Sequence, residues 1–499
     1  VSRGIIATPH HLASDVGARV LRDGGNAVDA AVAANAVLCV VYPHMTSIGG
    51  DLFAMIWPPG AQAPVGLAGA GRSGALATIE HVRAQGHETM PERGPLTVTV
   101  PGTAEAWGRL VERFGTWGMA PLMEPAAALA RDGWMVSRGL ARALSEHGPW
   151  LCQEEEAWRL WPRLEEGMTL RNPELARVLD QVGAEGFDGF YRGDVARAIV
   201  ATLEARGGLV TREDLALHRS AWVEPFSFPY RDVTIYELPP PTQGLVAAGL
   251  LTRLDRWSPD DLRPGVVFAR ALLEARDSVY PLRDRYLTDP EFSPVPREPF
   301  LDPGHDASGE GGPVPEGDTI YLCVADAQGM LVSLIQSVAG AFGSGVVARG
   351  TGILLQNRGS SFSLDPNHVN RLEPRKRTMH TLIPAMATRN GRPWAVFGTM
   401  GGDGQPQVQT QVLRCLVDEG MHPQQAVAMP RMRVWPEGGG IWVEADHPDA
   451  AGVLRTVENA RPLAPGDVLL GHAHAIVLGA GGGWAAGADP RSDGKVAEA

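Results

Sequence analysis

The sequence predicts an α+β fold, and three features predict it. Residues 10–40 read as a pair of helices, about residues 100–235 alternate Ala/Leu/Arg-rich helical patterns with short loops, and two β-rich runs, TIYLCVAD at 319–326 and LVSLIQSV at 331–338, follow one another as a hairpin. Helices and antiparallel strands therefore share one chain.

Taken in order, Gly24-Gly25-Asn26 divides the first two helices, closing one and capping the next. Asp29 then falls in the first turn of the second helix, where the dipole favours a carboxylate. The stretch from Ala27 to Tyr42 is the most apolar of the early chain. It carries Asp29 and Asn35 and is too short to span a bilayer, so it reads as a buried helix. SIGGD at 47–51 is a glycine turn leading into a strand over Leu52 to Trp57. VTIYEL at 233–238 reads as a strand stopped by the rigid Pro239-Pro240-Pro241 turn. Residues 302–317, DPGHDASGEGGPVPEG, are Gly, Pro and acid, and cannot build a core. In the hairpin, period two puts Thr319, Tyr321 and Cys323 on one side and Ile320, Leu322 and Val324 on the other.

Of 499 residues, 44% are hydrophobic and 20% charged, the balance of a soluble globular protein. A net charge of −13 argues against nucleic acid and anionic membrane as partners. The 4 cysteines, Cys39, Cys152, Cys323 and Cys415, are dispersed and form no CxxC pair, which argues against a disulfide framework and fits a reducing compartment. The first residues lack a basic-then-apolar leader, so a cytoplasmic location is expected, although a chain starting at Val1 leaves a trimmed leader open. His10-His11 has no matched ligand spacing after it, and no phosphate loop or dinucleotide fingerprint is present, so neither a metal nor a cofactor is expected.

A flexible polar loop leading at once into Thr319, at the head of a strand, is chemically suggestive. A threonine hydroxyl is a weak nucleophile at neutral pH. If the bond between Asp318 and Thr319 were broken, the freed α-amine, with a pKa of roughly 8, would become its base. Taken alone, a threonine opening a strand is ordinary β-former usage.

From Gly4 to Gly494 the chain resembles the γ-glutamyltransferase (glutathione hydrolase) family of N-terminal-nucleophile hydrolases. The motifs occur in order: ASDVGARVLRDGGNAVDAAVAA at 13–34, SIGGDLFAMI at 47–56, TVPGTAEAW at 99–107, PPPTQG at 239–244, GDTIYLCVAD at 317–326, FGSG at 342–345, GTGILLQN at 350–357, RKR at 375–377, MGGDGQPQ at 400–407 and ADPRSDG at 488–494. The resemblance implies a four-layer αββα sandwich and self-cleavage between Asp318 and Thr319. It implies a large fragment, 1–318, and a small one, 319–499, that stay together as a heterodimer. Thr319 would be the nucleophile, Gly401 and Gly402 would offer the oxyanion-hole N–H groups, and Ser337 would assist where the family has threonine. Ala339 stands where the family often has asparagine.

Departures from the family pattern concern the substrate. Arg72 lies near the family's carboxylate-binding arginine, and His380-Thr381 replace its serine pair. Arg358 and Ser361 stand where an amide or carboxylate and an aspartate usually receive the substrate ammonium. A guanidinium there suits a second carboxylate or a carbonyl oxygen, unless it turns to a protein acid. The short connection from Pro366 to Pro374 implies a more open site, with water as acceptor ahead of amino acids or peptides. PHHLAS at 9–14, HTLIPA at 380–385 and GGDGQPQ at 401–407 resemble a subgroup that includes oxamate amidohydrolase. The expected activity is hydrolysis of a small amide whose acyl part carries a carboxylate. A γ-glutamyl compound is the leading substrate, and an oxamate-like or glutaryl amide lacking the α-amine is the alternative. A non-catalytic binding relative is the remaining one.

Overall fold

The computed structural model describes residues 4–305, 317–435, 440–479 and 481–499. Most of the loop expected at 302–317 lies outside the described residues.

Two sheets dominate the molecule. Their strands, in chain order, are β1 (Gly4–Thr8), β2 (Asp51–Trp57), β3 (Val65–Gly69), β4 (Ala221–Val223), β5 (Phe226–Tyr230), β6 (Val233–Glu237), β7 (Asp318–Asp326), β8 (Leu331–Ala339), β9 (Ala385–Arg389), β10 (Arg392–Thr399), β11 (Ala473–Leu478), β12 (Trp484–Ala488) and β13 (Lys495–Glu498). One sheet runs β13-β1-β7-β8-β2-β3-β4 and the other β12-β11-β10-β9-β6-β5. Neighbours within both sheets are antiparallel.

The period-two alternation of the strands divides the core into layers. Ile6, Leu52, Ala54, Ile56, Ile320, Leu322 and Val324 face helices α1 (His11–Arg22) and α2 (Ala27–Val41). Their strand neighbours Ile5, Phe53, Met55, Trp57, Tyr321 and Cys323 face the second sheet and meet Met386, Val396 and Ile476 there. The far side of that sheet packs on helices α3 (Gly244–Leu254), α4 (Val266–Tyr286) and α5 (Gln405–Val417). The result is a four-layer αββα sandwich. Phe53, fully buried between the sheets, shows what this layer is worth: truncation to alanine at such a site costs about 3–5 kcal/mol.

Local expectations from the sequence hold at several points. The Asn26 side chain accepts the Val28 and Asp29 N–H groups, and the Asp29 carboxylate returns a bond to the Asn26 N–H, completing a capping box. Every residue of α2 is buried. The hairpin has the expected faces, and each strand is one residue longer than expected, reaching Asp318 and Ala339. The helical reading of 100–235 missed β4 and β5 at its end. FSFPY alternates buried and exposed residues over Phe226–Tyr230, and Pro229 is tolerated because β5 is an edge strand.

Candidate active site

The site forms where β2, β8 and β7 end side by side. Ser337 on β8 pairs with Thr319 on one flank and with Asp51 on the other. Just beyond, the register shifts between Ser337 and Ala339, which pairs with Asp318 and adopts a left-handed φ of 77°.

The bulge turns the Ser337 hydroxyl toward the strand start. It accepts from Thr319 Oγ1 at 3.2 Å and from the Ala339 N–H at 2.8 Å, and donates to the Asp318 carbonyl oxygen at 2.6 Å. Thr319 is fully buried. Above it, Asp318 lines a cavity of about 1370 Å³, together with Tyr42, His44, Arg93, Ser361 and His472. This geometry can support attack by a hydroxyl on the carbonyl one residue upstream.

The GGDG turn at 401–404 follows β10. Gly401 and Gly402 have φ values of 130° and 49°, a region that side-chain-bearing residues rarely adopt. A Cβ on Gly402 would lie 2.5 Å from the Gly317 nitrogen, so the segment before the Asp318–Thr319 bond rests directly on this turn. Among the described residues, nothing takes up the Gly401 or Gly402 N–H. Behind the turn, Gln243 Nε2 donates to the Gly402 and Thr381 carbonyls at 3.1 and 3.2 Å.

Arg358, His380 and Thr381 are brought together beside Asp51. The Asp51 carboxylate accepts from the Gly71 N–H and Gln356 Nε2 at 2.9 and 3.0 Å, and meets His380 Nε2 at 3.1 Å. A carboxylate partner places the His380 proton on Nε2 and leaves the buried Nδ1 an open acceptor. Burial, and then the neighbouring Arg358, push the His380 pKa down to about 4, outweighing Asp51, so the ring is neutral at pH 7.

The Arg358 side chain is buried, with Nη1 3.4 Å from Thr381 Oγ1. Among the described residues its Nε and Nη2 have no partner and it makes no ion pair. Burial draws its pKa down to about 10 against the pull of Asp51, which still leaves it charged at neutral pH. A buried cation with open N–H groups is unfavourable until an anion or carbonyl oxygen reaches it.

Arg72 sits elsewhere. It bonds Glu291 at 2.6 Å and the Arg375 carbonyl at 2.9 Å, and lines a separate cleft of about 330 Å³ with His218, Arg375 and Arg377. Sequence reading passed over Asp51, Gln243 and Gln356. Asp51 carried a usable signal, a carboxylate closing the SIGGD turn ahead of a strand. Arg93, His44 and His472 were also missed. They join the cavity from three distant segments, which no local pattern announces.

Comparison with known proteins gives a consistent result. The family model described as Gamma-glutamyltranspeptidase matches residues 13–499. The glutathione hydrolase-like YwrD proenzyme of Bacillus subtilis is 38% identical, over 99% of this chain and 98% of its own length. The oxamate amidohydrolase proenzyme of Klebsiella pneumoniae is 36% identical, with 99% and 98% covered. The crystal structure of a cephalosporin acylase from Bacillus halodurans superposes with a TM-score of 0.92 at 35% identity, covering 99% of this chain and 96% of that one.

Proposed function

Because the chain belongs to the gamma-glutamyltranspeptidase family, we propose that it is a self-processing amide hydrolase whose nucleophile is Thr319. In the uncut chain the Thr319 hydroxyl adds to the Asp318 carbonyl carbon while Ser337 donates to the carbonyl oxygen. The adduct collapses with cleavage of the Asp318–Thr319 C–N bond, the freed amine taking up the proton, and water hydrolyses the resulting ester, leaving fragments 1–318 and 319–499 as a heterodimer. The observation that carries this reading is the hydrogen-bonded line from Thr319 Oγ1 through Ser337 to the Asp318 carbonyl.

In the processed enzyme the Thr319 α-amine takes the hydroxyl proton as Oγ1 attacks a substrate amide. The Gly401 and Gly402 N–H groups stabilise the oxyanion. The protonated amine then gives its proton to the departing nitrogen, and water releases the acyl group as an acid. No cofactor is needed for these steps.

Arg358 favours the amine-independent substrate. Its open N–H groups suit a carboxylate or carbonyl oxygen on the acyl part and oppose an ammonium. Thr381 Oγ1 lies beside the guanidinium at 3.4 Å, and Ser361 lines the cavity that Asp318 also lines. The oxamate- and cephalosporin-type chemistry named for two relatives therefore fits better than γ-glutamyl transfer. The small acyl part carries a carboxylate, and water is the acceptor.

Intact mass after purification tests the cut, with a fragment beginning at Thr319 expected. A matched pair of p-nitroanilides, glutaryl and γ-glutamyl, tests the substrate. Preference for glutaryl supports the role given to Arg358, whereas preference for γ-glutamyl returns the assignment to glutathione-type substrates.

A further inference from the structure

Tyr280 lies on α4, upstream of the Asp318–Thr319 bond, whereas the glycine turn at 401–404 lies downstream of it. The Tyr280 side chain is fully buried, and its hydroxyl donates to the Asp403 carbonyl at 2.8 Å. That carbonyl belongs to the same peptide unit as the Gly404 N–H, which donates to the Gly401 carbonyl at 2.8 Å. The Gly401 carbonyl in turn belongs to the same peptide unit as the Gly402 N–H. At the other end, Gln407 Nε2 donates to the Tyr280 hydroxyl at 3.2 Å. Every bond points the same way, and the last N–H has no partner among the described residues.

A hydrogen bond accepted by an amide carbonyl polarises that amide and makes its N–H a stronger donor, so aligned chains reinforce one another. We propose that Gln407, Tyr280, the 403–404 peptide and the 401–402 peptide form a relay that aims and polarises the Gly402 N–H toward a substrate oxyanion, with Tyr280 as its positioning residue. The proposal rests on the oxyanion role given to Gly402 above. Two neighbours hold the relay in place. Arg283, one turn along α4, ion-pairs with the Asp403 side chain, and Gln243 grips the Gly402 carbonyl. Burial pushes the Tyr280 phenol well above its ordinary value, so it stays a donor throughout the neutral range.

Tyr280→Phe removes the hydroxyl and keeps the ring. Gln407 Nε2 keeps the Val434 carbonyl at 3.1 Å for one of its two N–H groups and loses the acceptor of the other, so the self-cleavage rate serves as the control for general loosening. Self-cleavage should proceed at the wild-type rate, because Ser337 and not Gly402 holds the Asp318 carbonyl. The kcat of the processed enzyme should fall roughly 10-fold, less than the loss from deleting an oxyanion donor outright, with KM nearly unchanged. Asp403→Asn should show the same split, and Arg283→Lys should keep most of the activity. A Tyr280→Phe kcat within about twofold of wild type would overturn the relay, as would a loss confined to KM. Equal slowing of self-cleavage would mark general loosening and overturn it too. Failure of the underlying reading shows elsewhere: in wild-type chain that never cuts, or in Thr319→Ala that still turns over.

Discussion

Ser337 donates its hydroxyl to the Asp318 carbonyl oxygen at 2.6 Å while accepting from the Thr319 hydroxyl at 3.2 Å, so one side chain contacts the residues on both sides of the Asp318–Thr319 peptide bond. Ser337→Ala should slow self-cleavage by roughly 100- to 1000-fold, the scale of losing a donor to a developing oxyanion. Ser337→Thr should cut at close to the wild-type rate. Mass spectrometry over a time course distinguishes them, and an alanine variant that cuts normally removes Ser337 from the mechanism.

Thr319→Ala should leave the chain whole on long incubation. A variant that still splits between residues 318 and 319 would show that another group attacks the bond.

Arg358→Met should lower kcat/KM for the glutaryl anilide by roughly 10- to 100-fold, because a charge-assisted hydrogen bond is worth about 1.5–3 kcal/mol. Arg358→Gln, which restores an amide at this position, should move the glutaryl to γ-glutamyl ratio toward γ-glutamyl. An unchanged ratio in both variants would separate Arg358 from substrate selection.

Stability should fall on mild acidification. His218, His380 and His472 are buried, and desolvation holds each pKa at about 4, below the ordinary 6.5. The unfolded chain therefore binds more protons than the folded one between these values. The stability from keeping the rings neutral is complete above pH 6.5 and is lost as pH falls toward 4, by about 2 kcal/mol per histidine at pH 5. The urea midpoint should drop between pH 7 and pH 5, and an unchanged midpoint would contradict neutral burial of these rings.

Much of the architecture was legible because it is local. The β7–β8 hairpin, the Asn26 cap and the apolar α2 each follow from residues within a few positions of one another. Thr319 was singled out through its motif, and the faces of its strand follow from period two. The surroundings of Arg358 were not legible. Its missing acid partner depends on Asp51 being committed to His380, Gln356 and Gly71, three segments far apart in the chain. Arg72 illustrates the same limit, since Glu291 draws it into another cleft.

Both sheets draw strands from each side of the Asp318–Thr319 bond: β1 and β2 flank β7 and β8 in one, and β6 lies against β9 in the other. Before the cut, folding is a first-order search by one chain. After it, the same sandwich can re-form only when two separate polypeptides meet, so recovery from denaturant becomes second order and weakens on dilution. Self-cleavage at this position would therefore convert a renaturable precursor into an enzyme whose lifetime is set by how slowly it first comes apart.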